Sequence, residues 1–246
     1  MVKKTKTQIF RFAFLKSIPV MLGYIFLGTA FGILLSQAGY SFLWAFLISL
    51  IVYAGSMQFV LVSLLSSAAS PLTVIMMTLF INSRHIFYGL SFVSEFKKMK
   101  WRYPYMVFSL TDETYSVLCG CNEDTVFNTG NADDRRSVWF FISLFHQCYW
   151  IFGSVCGALI GQLLPFDFTG IDFSMTALFV VILIEQVYDL KTGKFKYACI
   201  GFFTALVCLF IFGADRFLLP ALILTVFIIA LCEQSPKSKY HQNRSK

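Results

Sequence analysis

Long apolar segments alternate with short polar or basic connections along the chain. The apolar segments cover residues 18–37, 41–66, 71–93, 138–164, 175–187, 197–213 and 217–232. A hydrocarbon core about 30 Å thick takes about 20 residues of helix, so most of these segments are long enough to span a bilayer or nearly so. Unpaired backbone groups are too costly in lipid, and the sequence lacks the ~10-residue alternation of a membrane barrel. The pattern predicts an all-α fold, a polytopic integral membrane helical bundle of about seven membrane helices.

Composition supports the membrane assignment. Apolar residues make up 57% of the 246 residues, and only 13% are charged, against about 25% in an ordinary soluble domain. A water-soluble fold could not bury that much apolar surface. We therefore interpret residues 1–246 as a single transmembrane transporter domain, with a first half of about 15–120 and a second half of about 136–232.

Basic residues indicate the topology. The net charge is +7, and the basic residues cluster at segment ends. Attraction to anionic lipid headgroups explains this distribution without a nucleic-acid partner. The clusters are the N-terminus, 97–102, 135–136, 191–196 and 237–246. Short basic loops stay in the cytoplasm, which predicts cytoplasmic termini. No small-residue cleavage site ends the first apolar segment cleanly, so we expect that helix to be retained. Three ordinary crossings before Lys97 would place it outside, so the sequence predicts one broken or re-entrant segment.

The stretch 103–120 is moderately apolar but contains the adjacent carboxylates Asp112 and Glu113. Each would cost about 2.5–3.5 kcal/mol in a lipid-exposed helix. We expect this stretch to be re-entrant or to line a cavity. The polar residues 122–136 that follow are the candidate flexible loop.

Glycines recur at four-residue intervals in two of the predicted helices. Gly28 and Gly32 share one face of the first, and Gly153, Gly157 and Gly161 share one face of the helix at 138–164. Small residues on a stripe let helix backbones approach closely. The same residues could instead allow unwinding or rocking at a transport site, and the sequence leaves both open.

Polar residues concentrate within the apolar segment 71–93. Asn82 and His85 would share one helix face, as would Arg84 and Tyr88, so the helix is either buried on all sides or broken here. A buried guanidinium keeps its proton and needs an acceptor. Asp112 or Glu113, and less strongly Glu185, could pair with Arg84. Arg84 could also be a snorkelling residue near an interface.

A second polar group lies within the segment 41–66. Gly55 and Gln58 follow Tyr53, and Ser49, Ser56 and Ser63 recur at seven-residue intervals. This stripe could serve helix packing. It could also mark an unwound substrate-binding turn, because transporters expose backbone groups at breaks near the membrane midplane.

Enzymatic, metal-binding and cofactor-binding patterns are not found in the sequence. Ser83 and His85 are not oriented as a nucleophile and base on a helix, and three histidines supply no ligand set. A Walker-type glycine loop is absent, which argues against nucleotide-driven pumping. Seven cysteines, most of them within apolar segments, are interpreted as reduced packing residues. We predict a protein that is not an enzyme and needs no metal or cofactor.

Four motifs in order resemble the AzlC-type branched-chain amino acid permease family. They are residues 18–32, 53–59, 82–89 and 110–115. The resemblance is specific over about 14–120 and rests on hydropathy and length over 136–232. It points to three groups of site residues: Tyr53, Gly55 and Gln58; Asn82, Arg84, His85 and Tyr88; and Asp112 and Glu113.

The resemblance implies a multi-pass protein of the cytoplasmic membrane that exports branched-chain and similar aliphatic amino acids. It further implies proton coupling and a small, separately encoded AzlD-type membrane subunit. The sequence leaves two alternatives open. One is a channel-like or non-transporting membrane subunit, and the other is a transporter of another small solute.

Overall fold

A computed structural model describes residues 5–123, 132–163 and 195–213, with single residues and short stretches between 170 and 232. The side chains of Ser83, Arg84, Ile86 and Phe87 lie outside this description. The chain divides into two compact units, Met1–Thr176 and Ala177–Lys246.

The first unit is built from helices of very unequal length. In order they are α1 (Lys6–Gln37), α2 (Phe42–Ile51), α3 (Gly55–Ser66), α4 (Pro71–Lys97), a 3-10 turn (Lys100–Arg102), α5 (Tyr103–Phe108), α6 (Asp112–Glu123) and α7 (Ala132–Leu163). Over the described ranges of this unit the chain forms only helices and their connections. The predicted all-α membrane class agrees with this architecture.

Two of the described helices are long and apolar enough to cross a membrane, namely α1 and α7. Each has 32 residues, a length of about 48 Å at 1.5 Å per residue. The shorter apolar helices include α2, α3 and the first part of α4. The count of about seven spans therefore remains a prediction.

Two helices begin before their apolar segments, because polar residues at the helix starts are helical, and the predicted loop 122–136 was wrong from residue 132 onward. α1 begins at Lys6, well before residue 18, where Thr5 and Gln8 form a capping box that satisfies free N–H groups. α7 begins at Ala132, inside the predicted loop 122–136. The negative charge of Asp133, in the first turn of α7, interacts favourably with the helix dipole. Asp133 Oδ1 also lies 2.9 Å from Arg136 Nη1.

The glycine stripes of α1 and α7 face each other. A Cβ atom added to Gly28 would lie 3.0 Å from the Trp150 carbonyl oxygen, and one added to Gly161 would lie 2.8 Å from Ser36 Oγ. Residue numbers rise together along the contact, so the two helices are parallel. Of the two roles left open by the sequence, close backbone packing is the one observed here.

Two predicted segments are interrupted, and one is not. α2 and α3 are separated at residues 52–54, where Tyr53 has a φ of 39°. α5 and α6 are separated at residues 109–111. α4, in contrast, runs without a break through residues 82–89. The helix is therefore not broken at this stretch, and its described side chains there are only partly buried.

One end of the first unit gathers basic residues over a buried apolar cluster. The cluster includes Ile9 of α1, Phe96 of α4 and Trp139 of α7. Above it, Glu95 Oε1 lies 2.6 Å from Lys98 Nζ, and Glu95 Oε2 lies 3.2 Å from Arg136 Nη2. The basic clusters 97–102 and 135–136 therefore lie together. We call this region the basic end.

The second unit contains α8 (Phe195–Phe212). The Thr204 side chain is hydrogen-bonded to the Ile200 carbonyl and to the Thr225 hydroxyl, which joins α8 to a later helical stretch. Except for isolated residues, the predicted segment 175–187 lies outside the described residues. The same holds for most of the basic cluster 191–196 and for the tail.

Candidate functional site

The break between α2 and α3 is held by one buried amide, Gln58. Its Oε1 accepts from the Ala54 backbone N–H at 3.2 Å and from Trp150 Nε1 at 2.9 Å, and its Nε2 donates to Ser49 Oγ at 3.3 Å. The side chain is fully buried. Backbone groups freed by a helix break must find partners when they are buried, and Gln58 supplies one from within the broken segment.

A second amide, Gln147 of α7, links the two broken segments. Its Nε2 donates to the Leu50 carbonyl at 3.1 Å, and its Oε1 accepts from the Tyr105 hydroxyl at 2.9 Å. Leu50 belongs to the last turn of α2, and Tyr105 belongs to α5. One α7 side chain thus contacts both interrupted segments.

Hydroxyl groups hold the break between α5 and α6. Thr111 Oγ1 accepts from the Thr114 backbone N–H at 3.2 Å, as expected of a residue that caps a helix start. It also donates to Thr114 Oγ1 at 3.0 Å, and that oxygen lies 2.8 Å from His146 Nδ1 on α7. α7 therefore supports the second break as it does the first.

A carboxylate joins this group through α1. The Tyr24 hydroxyl lies 2.8 Å from Glu113 Oε2 and 2.6 Å from Thr111 Oγ1. A hydrogen-bonded series, which we call the polar chain, thus consists of Glu113, Tyr24, Thr111, Thr114 and His146. It connects α1, α6 and α7 within the interior of the bundle.

The two breaks lie side by side. The ring centroids of Tyr53, in the first break, and Phe108, next to the second, are 6.0 Å apart. Tyr24 contacts the rings of both Trp150 and His146, at 5.4 and 5.7 Å between centroids. Aromatic surface and hydrogen-bonding groups therefore meet in one small region.

Three buried polar atoms around the breaks lack a hydrogen-bond partner in the described part of the chain. They are the Tyr53 hydroxyl, Ser109 Oγ and His146 Nε2. Buried polar atoms are nearly always paired with protein or water, and an unpaired one costs about 1–3 kcal/mol. Two of these atoms, the Tyr53 hydroxyl and Ser109 Oγ, lie at the first and the second break respectively.

The structure brings together five of the predicted site residues. Tyr53, Gly55 and Gln58 lie at the first break, and Asp112 and Glu113 open the helix after the second. Acidic residues in a first turn interact favourably with the helix dipole, which offsets part of their burial cost. The expected re-entrant or cavity-lining stretch 103–120 consists of two short helices meeting at this break.

The other four predicted residues lie on α4. His85 Nδ1 is 3.2 Å from the Asn82 carbonyl oxygen, one turn earlier. Tyr88 stacks on Tyr115 of α6, with 4.6 Å between ring centroids. The Arg84 side chain lies outside the described residues, so its pairing with Asp112 or Glu113 remains a prediction.

Sequence reasoning missed most of the residues that support the two breaks, including all three on α7. The residues it did not single out as site residues are Tyr24, Tyr105, Thr111, Thr114, His146, Gln147 and Trp150. The adjacent polar pair His146 and Gln147 within the apolar segment 138–164 was the available signal. Polar residues inside a membrane segment are functional candidates by default.

Comparison with known proteins identifies the family. The AzlC protein family matches residues 19–164, a range that contains both breaks and all of the α7 residues described above. The chain belongs to the AzlC family. The match confirms the resemblance carried by the four motifs, and it supports a role in membrane transport.

Relatives agree with this assignment over nearly the whole chain. An uncharacterized membrane protein of Helicobacter pylori is 41% identical over 90% of this chain and 94% of its own length. The branched-chain amino acid transport protein AzlC of Bacillus subtilis is 33% identical over 90% of this chain and 84% of its own length. An uncharacterized membrane protein of Haemophilus influenzae is 36% identical over 88% and 86%. No solved structure matches this AzlC-family chain.

Proposed function

We propose that this AzlC-family chain is a secondary transporter that exports branched-chain and similar aliphatic amino acids across the cytoplasmic membrane. In this proposal export is proton-coupled and requires a small AzlD-type membrane subunit. The observation that carries the proposal is the meeting of two broken helices inside the bundle. Transporters place substrate where interrupted helices expose backbone and helix ends.

The first broken segment supports a re-entrant path from the end opposite the basic end. Just before α2, the Tyr40 carbonyl accepts from Gln162 near the end of α7, whereas the Leu50 carbonyl contacts Gln147 halfway along α7. Beyond the break, Phe59 packs against Phe31, which lies on the later half of α1. α2 thus runs inward and α3 runs back out.

The second broken segment supports the reverse path. Trp101, just before α5, contacts Phe140 near the start of α7, and Phe108 at the end of α5 reaches Tyr53. α6 then returns, because Leu118 and Cys121 join the apolar cluster beneath the basic end. Two hairpins entering from opposite ends, with touching tips, would form a substrate site accessible from either side in turn.

This topology predicts which side residue 98 faces. With α2 and α3 as one hairpin, only α1 and α4 cross before the cluster 97–102, so that cluster returns to the N-terminal side. In a variant without the seven native cysteines, we expect Lys98→Cys to resist a membrane-impermeant thiol reagent in intact cells. Ser67→Cys, between α3 and α4, should react. Strong labelling at residue 98 would contradict the topology.

The chemistry of the breaks suits an aliphatic amino acid. Its ammonium group needs an acceptor, which the Glu113 carboxylate supplies, and its carboxylate needs donors, which the Tyr53 and Ser109 hydroxyls supply. Phe31, Phe59 and Phe108 offer apolar surface close by. The Bacillus subtilis relative, named as a branched-chain amino acid transport protein, supports this class of substrate.

The polar chain supports proton coupling through Glu113. A carboxylate that receives a hydrogen bond from Tyr24 and continues through hydroxyls to His146 can take up a proton and release it again. We expect Glu113→Gln to abolish leucine flux driven by a proton gradient while leucine exchange without a gradient persists. Gln is nearly isosteric with Glu and can still accept from Tyr24, but it cannot titrate.

The measurement is radiolabelled leucine flux in proteoliposomes, with and without a proton gradient and with and without the small subunit. Saturable wild-type flux tests the transporter proposal itself. Non-saturable flux would favour a channel, and no flux of leucine, isoleucine, valine or methionine in any condition would overturn the substrate. Gradient-driven flux equal to wild type in Glu113→Gln would overturn both roles given to Glu113, in proton coupling and in binding the ammonium group, and would leave the transporter proposal standing.

A further inference from the structure

A pocket opens at the basic end, away from the helix breaks. Its volume is about 270 Å³. It lies between the connection from α4 to α5 and the first turns of α7. The residues that line it include Lys98, Lys100, Trp101, Arg102, Asp133 and Arg136.

Positive charge dominates this pocket. Four of its lining residues are basic and one is acidic, and that one, Asp133, already lies 2.9 Å from Arg136 Nη1. Glu95 neutralises part of the charge through Lys98 and Arg136. Within the part of the chain that the structure describes, neither Lys100 nor Arg102 has a carboxylate partner. A net cationic pocket is therefore left for an external anion.

Specific contacts and an unusual backbone conformation fix the positions of two basic residues in this pocket. The Arg102 guanidinium lies 4.7 Å from the Phe140 ring centroid and 5.3 Å from that of Trp101, and its Nη1 is 3.4 Å from Ser137 Oγ. Lys100 has a φ of 53°, a left-handed conformation that a lysine rarely adopts. Strained backbone of this kind is found disproportionately at ligand sites.

The position of Trp101 indicates the source of the anion. Its side chain is 76% exposed beside the pocket, and exposed tryptophans at the ends of membrane helices mark the level of the lipid headgroups. Basic pockets between helices on the cytoplasmic side bind anionic headgroups. A phosphodiester held in the membrane plane would meet this pocket at the correct depth.

We propose that the pocket formed by Lys98, Lys100, Arg102 and Arg136 binds the phosphate of an anionic phospholipid headgroup. This site is separate from the helix breaks and independent of what the protein transports. Planar guanidinium groups match phosphate oxygens bidentately, and lysine adds a point charge. The bound headgroup would join the end of α4 to the start of α7.

The test compares lipid binding by the full-length protein in neutral detergent. Phosphatidylglycerol, phosphatidylcholine and inorganic phosphate are each titrated while the melting temperature is followed, and retained lipid is counted by native mass spectrometry. We expect stabilisation by phosphatidylglycerol, none by phosphatidylcholine, and competition by phosphate only at much higher concentration. Replacing both Lys100 and Arg102 by Gln should weaken phosphatidylglycerol binding about thirtyfold, since each basic residue contributes to attraction for an anionic surface.

Arg11→Gln is the matched control, because Arg11 is an exposed basic residue of α1 that does not line the pocket. It should bind phosphatidylglycerol as wild type does. If the double variant is poorly folded, the single variant Lys100→Gln replaces it in the test. The Lys100 side chain is exposed, so this change removes no contact in the core. Equal effects of the two lipids, an unchanged affinity in the pocket variants, or binding of free phosphate only would each overturn the proposal.

Discussion

Gly157→Leu is expected to lower the yield of folded protein strongly. A Cβ atom at Gly157 would lie 2.7 Å from both the carbonyl carbon and the Cα of Thr29, and these are backbone atoms that cannot rotate away. A leucine there forces α7 off α1 along the whole crossing, so van der Waals contact is lost at Gly28, Gly32 and Gly153 as well. Overpacking a well-packed core costs about 1–3 kcal/mol and occasionally more.

We expect the upper end of that range, about 3 kcal/mol or more, because both sides of the contact are backbone. That free energy corresponds to a shift of about a hundredfold or more in the folding equilibrium. The measurement is the yield of monodisperse protein by size-exclusion chromatography, together with the melting temperature of what remains.

Gly23→Leu is the matched control on α1. A Cβ atom at Gly23 would have no neighbour within 4 Å, so this substitution should leave the folded yield close to wild type. Comparable losses for both leucine variants would mean that the general effect of a bulky residue, and not the contact between α1 and α7, determines the yield.

Gln58→Leu is expected to abolish transport and to lower stability by about 2–6 kcal/mol. Leucine has a similar size but removes all three hydrogen bonds of the amide. It strands the Ala54 backbone N–H and Trp150 Nε1 in a buried site, at about 1–3 kcal/mol for each buried unsatisfied group. The break between α2 and α3 then loses its support, and Tyr53 loses its position against the second break.

Gln162→Leu provides the comparison for this change. It is the same substitution on an exposed residue whose Nε2 makes a 3.3 Å bond to the Tyr40 carbonyl, and we expect less than about 1 kcal/mol. A double-mutant cycle tests the mechanism further. Because Trp150→Phe removes one stranded donor, it should destabilise the Gln58→Leu background less than the wild type. Full additivity would show that the bond between Gln58 and Trp150 contributes nothing.

Hydropathy and charge predicted the part of the fold that depends on lipid. Apolar segments of membrane length and basic clusters at their ends follow from the cost of burying charge and unpaired backbone, which acts on local sequence. Helix starts were less predictable. Thr5 and Asp133 stabilise the first turns of α1 and α7, which consist largely of polar residues. Hydropathy alone does not predict that such turns are helical.

The sequence also singled out one polar residue in each broken segment, but it did not predict that the two breaks lie side by side. Gln58 and Glu113 stand out because amides and carboxylates are rare inside apolar segments. The sequence predicted a partner for Arg84, whereas the described partner of Glu113 is the Tyr24 hydroxyl. Tyrosines and threonines are common in membrane segments, so a long-range bond between positions 24 and 113 leaves no local pattern.

By itself the sequence determined that this chain is a helical membrane protein, and through its motifs that it belongs to the AzlC family, because both follow from residue types and their spacing along the chain. Tertiary structure alone decided that His146, Gln147 and Trp150 on α7 support both helix breaks, and that the glycines of α1 and α7 let those helices approach closely enough to do so. The physical reason is that a break leaves backbone groups whose partners must come from elsewhere. Which distant side chain supplies them depends on how the helices pack, and packing joins residues about 90 positions apart, as between Gln58 and Trp150.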